Sequence, residues 1–182
     1  MEISHKKITN EEIHSKEKRL AEDVKAIVSE YESRFESIGY VLETEFTRDS
    51  DDGTLTPEER EAIRSSKIED EAGIYENGYS SHVRITVKRP KTDADTDETP
   101  EDTSEEDLSE EEAELRKNEQ ELEKAKREME RSVAFTTMMF VRVYKTFWRE
   151  IVSIEESTDE ISSDLQEFFS VLEEKSKNSE EC

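Results

Sequence analysis

The chain has 182 residues, of which 31% are apolar and 42% charged, and a formal net charge of −24. Globular domains are usually roughly 45–50% apolar, counted with glycine, so a large conventional core is not expected. The charge sets the chain against nucleic acid, whose phosphates repel it, and points to a basic protein partner.

The one cysteine, Cys182, excludes an intrachain disulfide and is misplaced for prenylation. The N-terminal residues MEISHKKITNEEI contain no apolar signal region, and a cytoplasmic location is expected, in a host cell if the gene is viral or mobile. No membrane partner is expected. The most apolar stretch, SVAFTTMMFVRVYKTFW, is interrupted by Arg142 before it could span a bilayer.

In chain order, Thr9 and Glu12 form a capping box, with Ile8 and Ile13 placed as a hydrophobic staple. Leu20, Val24, Ile27, Tyr31, Phe35 and Ile38 then lay a stripe along a helix over 9–38, which Gly39 ends. Residues 40–47, YVLETEFT, alternate Tyr40, Leu42 and Phe46 against Glu43 and Glu45. SHVRITVKR alternates Val83, Ile85 and Val87 against Arg84 and Lys88. Acidic and basic outer faces predict that these two strands pair antiparallel. Asn77-Gly78 suits a hairpin turn and a short strand at Ile74–Glu76.

Residues 48–59, RDSDDGTLTPEE, have the outline of a calcium loop, with Asp49, Asp51, Asp52 and Glu59 as its candidate ligands. With Gly53 at the sixth position, however, Arg48 takes the first, where a carboxylate must bind. The same residues fit a turn followed by a helix over about 57–70, with Thr56 as cap, Pro57 in the first turn and Glu59 closing a capping box. The metal site is discounted on that ground, and no cofactor is expected.

From Lys91 to Glu112 the chain carries twelve acids and one base, a net of −11, with the composition of a disordered linker. A half-solvated helix is expected after it, with a thin seam of Leu115, Leu122 and Met129 and with Glu112–Arg116 and Glu123–Arg127 pairs. The apolar segment VAFTTMMFVRVYKTFWREIVSI is read as an enclosed helix, although its β-branched residues would suit a strand. Ser157 and Glu160 cap a last helix carrying Ile161, Leu165, Phe168, Phe169 and Leu172. On a helix, Arg142, Lys145 and Arg149 would share one face, more readily paired with Asp159, Asp164 or Glu167 than binding an anion.

These elements predict an α+β protein: an N-terminal helix on a small antiparallel β-sheet, an acidic linker, then a long helix and a helical hairpin. The expected divisions are an α+β domain over 1–90, a disordered linker over 91–108, a coiled-coil-like helical hairpin over 109–177 and a disordered tail over 178–182. His5, His14 and His82 have no metal-ligand spacing, four glycines form no phosphate loop, and no serine or threonine has a base partner in sequence. An enzyme is not expected.

The expected function is a non-enzymatic acidic inhibitor or regulator. It would occupy the basic, nucleic-acid-binding surface of a partner protein, as a DNA-mimic inhibitor of a restriction or CRISPR nuclease does. Carboxylates four apart repeat every ~6 Å along a helix, and several such rows would approach the one charge per ~1.7 Å of duplex DNA. The residues placed on that surface are Asp93, Asp95, Asp97, Glu110, Glu111, Glu114, Glu121 and Glu128. The alternative is a helical adaptor or assembly chaperone acting through helices over 133–172. There Met138, Met139, Phe140, Phe147 and Trp148 form a core or a self-association surface that makes a homodimer. A calcium sensor through 48–59 is the second alternative.

Overall fold

The computed structural model describes residues 2–4, 8–50, 53, 55–67, 78–91, 110–145 and 150–180. The protein is α+β, with a helix packed on an antiparallel sheet in its N-terminal half as the sequence predicts. Helix α1 (Asn10–Ser37) begins at the Thr9–Glu12 capping box. It ends where the N–H groups of Gly39 and Tyr40 turn back onto the carbonyls of Glu36 and Phe35. That closure needs a left-handed residue, and Gly39 supplies it at φ +79°. The buried stripe is Ile13, Glu17, Leu20, Val24, Val28, Tyr31 and Phe35, so a glutamate occupies a core position.

Strands β2 (Val41–Ser50) and β3 (Tyr79–Lys88) pair antiparallel, from Val41 opposite Lys88 to Ser50 opposite Tyr79. Glu45 lies directly opposite Arg84, and Lys88 forms an ion pair with Glu43, so the outer faces match in charge as predicted. Between these strands, helix α2 (Pro57–Ser65) starts at the predicted Thr56–Glu59 capping box but stops short of residue 70. The strand expected at Ile74–Glu76 and the acidic stretch 92–109 lie outside the described residues.

The C-terminal half departs from expectation. Helix α3 (Glu110–Arg131) is present. The segment after it forms strand β4 (Ser132–Lys145) and strand β5 (Glu150–Ile154). Only α4 (Asp159–Glu180) of the expected helical hairpin remains. The reason is the pleat. Thr136, Met138, Phe140 and Val143 are buried, while Phe135, Thr137, Arg142 and Tyr144 are exposed, so burial alternates with period two and the outer face keeps two aromatic rings. Val133, Thr136, Thr137, Val141 and Val143 favour the strand as β-branched residues. Ser81 pairs with Val141 and His82 with Met139, which leaves Phe140 as the extra residue of a β-bulge. The bulge lets the adjacent Phe140 and Val141 both be fully buried.

With β1 (Glu2–Ser4) at the far side, the described strands form one antiparallel sheet in the order β1-β5-β4-β3-β2. Residues from both sides of the acidic stretch therefore share one sheet. Helices α1 and α4 cover the same face of it. The Phe35 and Phe169 rings meet edge to face at 5.6 Å, and Tyr31 donates to the Ser162 carbonyl at 3.2 Å. Thr136 donates to Asp164 on α4 at 2.5 Å. The opposite face carries Phe135, Tyr144, Arg84 and Arg142 exposed.

Candidate partner-binding surface

The most enclosed polar group ties three elements together. The Arg48 guanidinium of β2 is fully buried and donates to Glu17 of α1 at 2.8 Å. Tyr79 of β3 donates to the other Glu17 oxygen at 2.5 Å. Arg48 also donates to Ser66 at 3.1 Å and to the Lys67 carbonyl at 2.7 Å, holding the end of α2. An arginine this enclosed, engaged through both of its terminal nitrogens, is structural.

This arrangement also bears on the apparent calcium loop. Arg48, at the first ligand position, points into the core. Asp49 accepts from Arg64 at 3.0 Å, a hydrogen bond that holds its carboxyl below the usual range. The Thr56 backbone N–H does the same for Glu59, which is occupied in the capping box. Asp51 and Asp52 lie outside the described residues. Among the described residues, no group of three or more His, Cys, Asp or Glu side chains could hold a metal.

The residues predicted to form the anionic surface divide three ways. Asp93, Asp95 and Asp97 lie outside the described residues. Glu110, Glu111 and Glu114 fall in the first turns of α3, and only their backbone course is described. Glu121 is exposed on α3, whereas Glu128 is half-buried in a cluster with cations. Lys88 donates to Glu128 at 2.7 Å, and Arg131 donates to it at 3.0 Å. The Lys88 hydrogen bond pulls the Glu128 pKa below its usual value. Partial burial pushes the Lys88 ammonium down, but its bonds to Glu128 and Glu43 outweigh that and raise its pKa. Glu128 therefore anchors α3 to β3. Beyond this anchor, Leu115, Leu122 and Met129 are 61%, 72% and 77% exposed.

Of the residues assigned to core or self-association, Met138 and Phe140 are buried and Met139 is half-buried. Phe147 and Trp148 lie outside the described residues. Arg142 sits on a strand, on the face away from α4, so the expected shared helical face with Lys145 and Arg149 does not exist. Asp164, expected to pair with it, accepts from Thr136 instead.

Sequence reasoning missed a groove between α1 and β2. Its apolar lining is Ala21, Val28, Leu42, Phe46 and Val83, its charged lining is Lys18, Glu22, Lys25 and Glu32 of α1, and its volume is about 510 Å³. The signal for it was weak: Thr44 sits on the same face as Leu42 and Phe46, where an apolar residue would complete the pattern.

The fold and this surface define an α+β protein with helices on one face of an antiparallel sheet and a strongly acidic exterior. Comparison with protein-family models, curated proteins and solved structures finds no match. No described helix is long and apolar enough to cross a membrane.

Proposed function

We propose that this chain is a non-enzymatic regulator that binds a basic protein partner through its acidic exterior. The observation that carries this reading is a surplus of carboxylates, 50 acids against 26 Lys and Arg, with many of them facing solvent. Arg48, Arg64, Lys88 and Arg131 are engaged by carboxylates within the fold, while Glu22, Glu30, Glu36, Glu121, Glu167 and Glu174 face solvent on three different helices. Such a surface attracts cationic partners over a Debye length of about 8–10 Å at moderate salt.

The narrower form, a decoy that fills a DNA-binding groove, draws little from α3. That helix has nine acids and six bases in 22 residues, a net of −3. Duplex DNA of the same ~33 Å length carries about 19 charges. A decoy of DNA-like charge density would have to rest on the stretch 91–109.

The test is capture of identified partners by the immobilised full chain at low and high salt, beside a variant with those six solvent-facing glutamates changed to Gln. Basic partners should be released steeply as salt rises, and the variant should retain far less. Equal retention by the variant, or retention indifferent to salt, overturns the proposal.

A second reading has its own observation. The three exposed residues seven apart on α3 make an adaptor helix, which moves that function from 133–172 to 110–131. A sedimentation mass that rises with concentration and drops with Leu122→Glu supports it. A mass that is constant in both proteins removes it.

A further inference from the structure

The outer strand of the sheet has an uneven edge. Strand β2 is last in the order β1-β5-β4-β3-β2, so among the described residues nothing pairs with its outer side. Its far half is guarded, since α2 ties to it through Arg64–Asp49 and through the Arg48 bonds to Ser66 and Lys67. Among the described residues, none guards its near half, residues 41–46, in this way. Alternate backbone N–H and C=O groups there face outward, and such a row is a template for another strand.

The groove lies directly beneath that half. Ala21 and Val28 of α1 face Leu42, Thr44 and Phe46 of β2 across it. Thr44 is on the helix-facing side of the sheet yet exposed, and its neighbours Leu42 and Phe46 are only half-buried. A strand added beside β2 would place every second side chain over this gap and finish the apolar layer.

Charge narrows the occupant. On the other face of the same half-strand, Glu43 and Glu45 are exposed. Glu43 already meets Lys88. Arg84, opposite Glu45, lies instead over the Phe135 ring at 4.3 Å. A second copy of β2 laid antiparallel about Thr44 would set Glu43 against Glu45 of its mate, and like charges directly opposite are destabilising. The outer face of the edge thus rejects itself and accepts cations, while the groove side sets Lys18 and Lys25 beside Glu22 and Glu32 and is neutral in sum.

We propose that the free half-edge of β2, with the groove between it and α1, is a docking site for an extended peptide strand that alternates apolar and basic side chains. The apolar residues enter the groove, and a basic one meets Glu45, the carboxylate of this half-strand that Lys88 does not engage. Backbone pairing supplies affinity and the alternating side chains supply selection. This rests on the basic-partner reading above and says where and how that partner binds.

The test titrates the full chain with three nine-residue peptides: alternating Val and Lys, alternating Val and Glu, and alternating Gly and Lys. The Val/Lys peptide should bind best and slow amide hydrogen exchange at residues 41–46. Glu45→Lys should weaken it about tenfold, of the order expected when an attractive contact becomes a repulsive one. Ala21→Trp, which fills the groove, should abolish binding while the urea midpoint holds. The exposed Glu45 site keeps the test decisive should Ala21→Trp unfold the protein. Slowed exchange elsewhere, or binding untouched by Glu45→Lys, overturns the site. Equal binding of Gly/Lys and Val/Lys, lost in salt, overturns the strand site but leaves the acidic-surface reading standing. Failure of both Lys peptides to bind overturns both.

Discussion

Arg48 and Glu17 are both fully buried, and each is costly to enclose without the other. Arg48→Met leaves the Glu17 carboxylate in the core with only Tyr79 to satisfy it. The expected loss is about 3–5 kcal/mol, read from urea unfolding. Adding Glu17→Leu to that variant should recover at least half of the loss, because an apolar pair of similar size needs no counter-charge. A double mutant as unstable as Arg48→Met alone would place the value of Arg48 in its bonds to Ser66 and Lys67. The sequence disclosed half of this pair: Arg48 stood where a calcium ligand belonged. Its partner was hidden, although Glu17 lies four residues after Ile13 and three before Leu20, on the apolar stripe itself. A second residue-scale test concerns Lys88 and Glu128. The folded pKa of Glu128 lies below its usual 4.5, so its contribution to stability is present above 4.5 and is lost as pH falls through the depressed value. Lys88 is raised above 10.5, so its contribution is present below 10.5 and is lost as pH climbs through the raised value. The stability gap between the native protein and Lys88→Met should stay level between those limits and shrink beyond either. A gap that changes near neutrality would mean that another group controls it.

At the scale of elements, the N-terminal half was readable because its signals were local. The boxes at Thr9 and Thr56, the turn at Gly39 and the alternation in β2 and β3 each sit within a few residues. β4 was not readable in the same way. Phe135, Met139 and Tyr144 make much of its outward face apolar, beside Thr137 and Arg142, and the bulge at Phe140 breaks the alternation where it would have been clearest. A run largely apolar on both sides fits a buried helix and a sheet strand alike, and the neighbouring β3 decides between them. The two elements joined at Arg131 should respond in opposite ways to mutation. Phe140→Ala, at a fully buried site, should cost about 3–5 kcal/mol. Leu122→Gln, on exposed α3, should shift stability by no more than about 0.5 kcal/mol. A large loss from Leu122→Gln would mean that its side chain is covered in solution, by a second copy or another part of the chain.

For the molecule as a whole, the net charge of −24 opposes folding through self-repulsion, and added salt relieves it. The melting temperature should therefore rise between low and moderate ionic strength, while affinity for a cationic partner falls over the same range. Parallel rather than opposed trends would separate the charge from partner binding. The strand order has a consequence during synthesis. β3 leaves the ribosome long before its neighbour β4, and 43 residues, 89 to 131, intervene. A nascent chain halted before residue 132 holds a two-stranded ribbon, which is marginal in water, and the parts of β3 and α1 that meet β4 and α4 have nothing to close against. For that interval the chain is exposed to clumping and to proteases. The net of −11 between Lys91 and Glu112, made before this middle strand, opposes such clumping by self-repulsion.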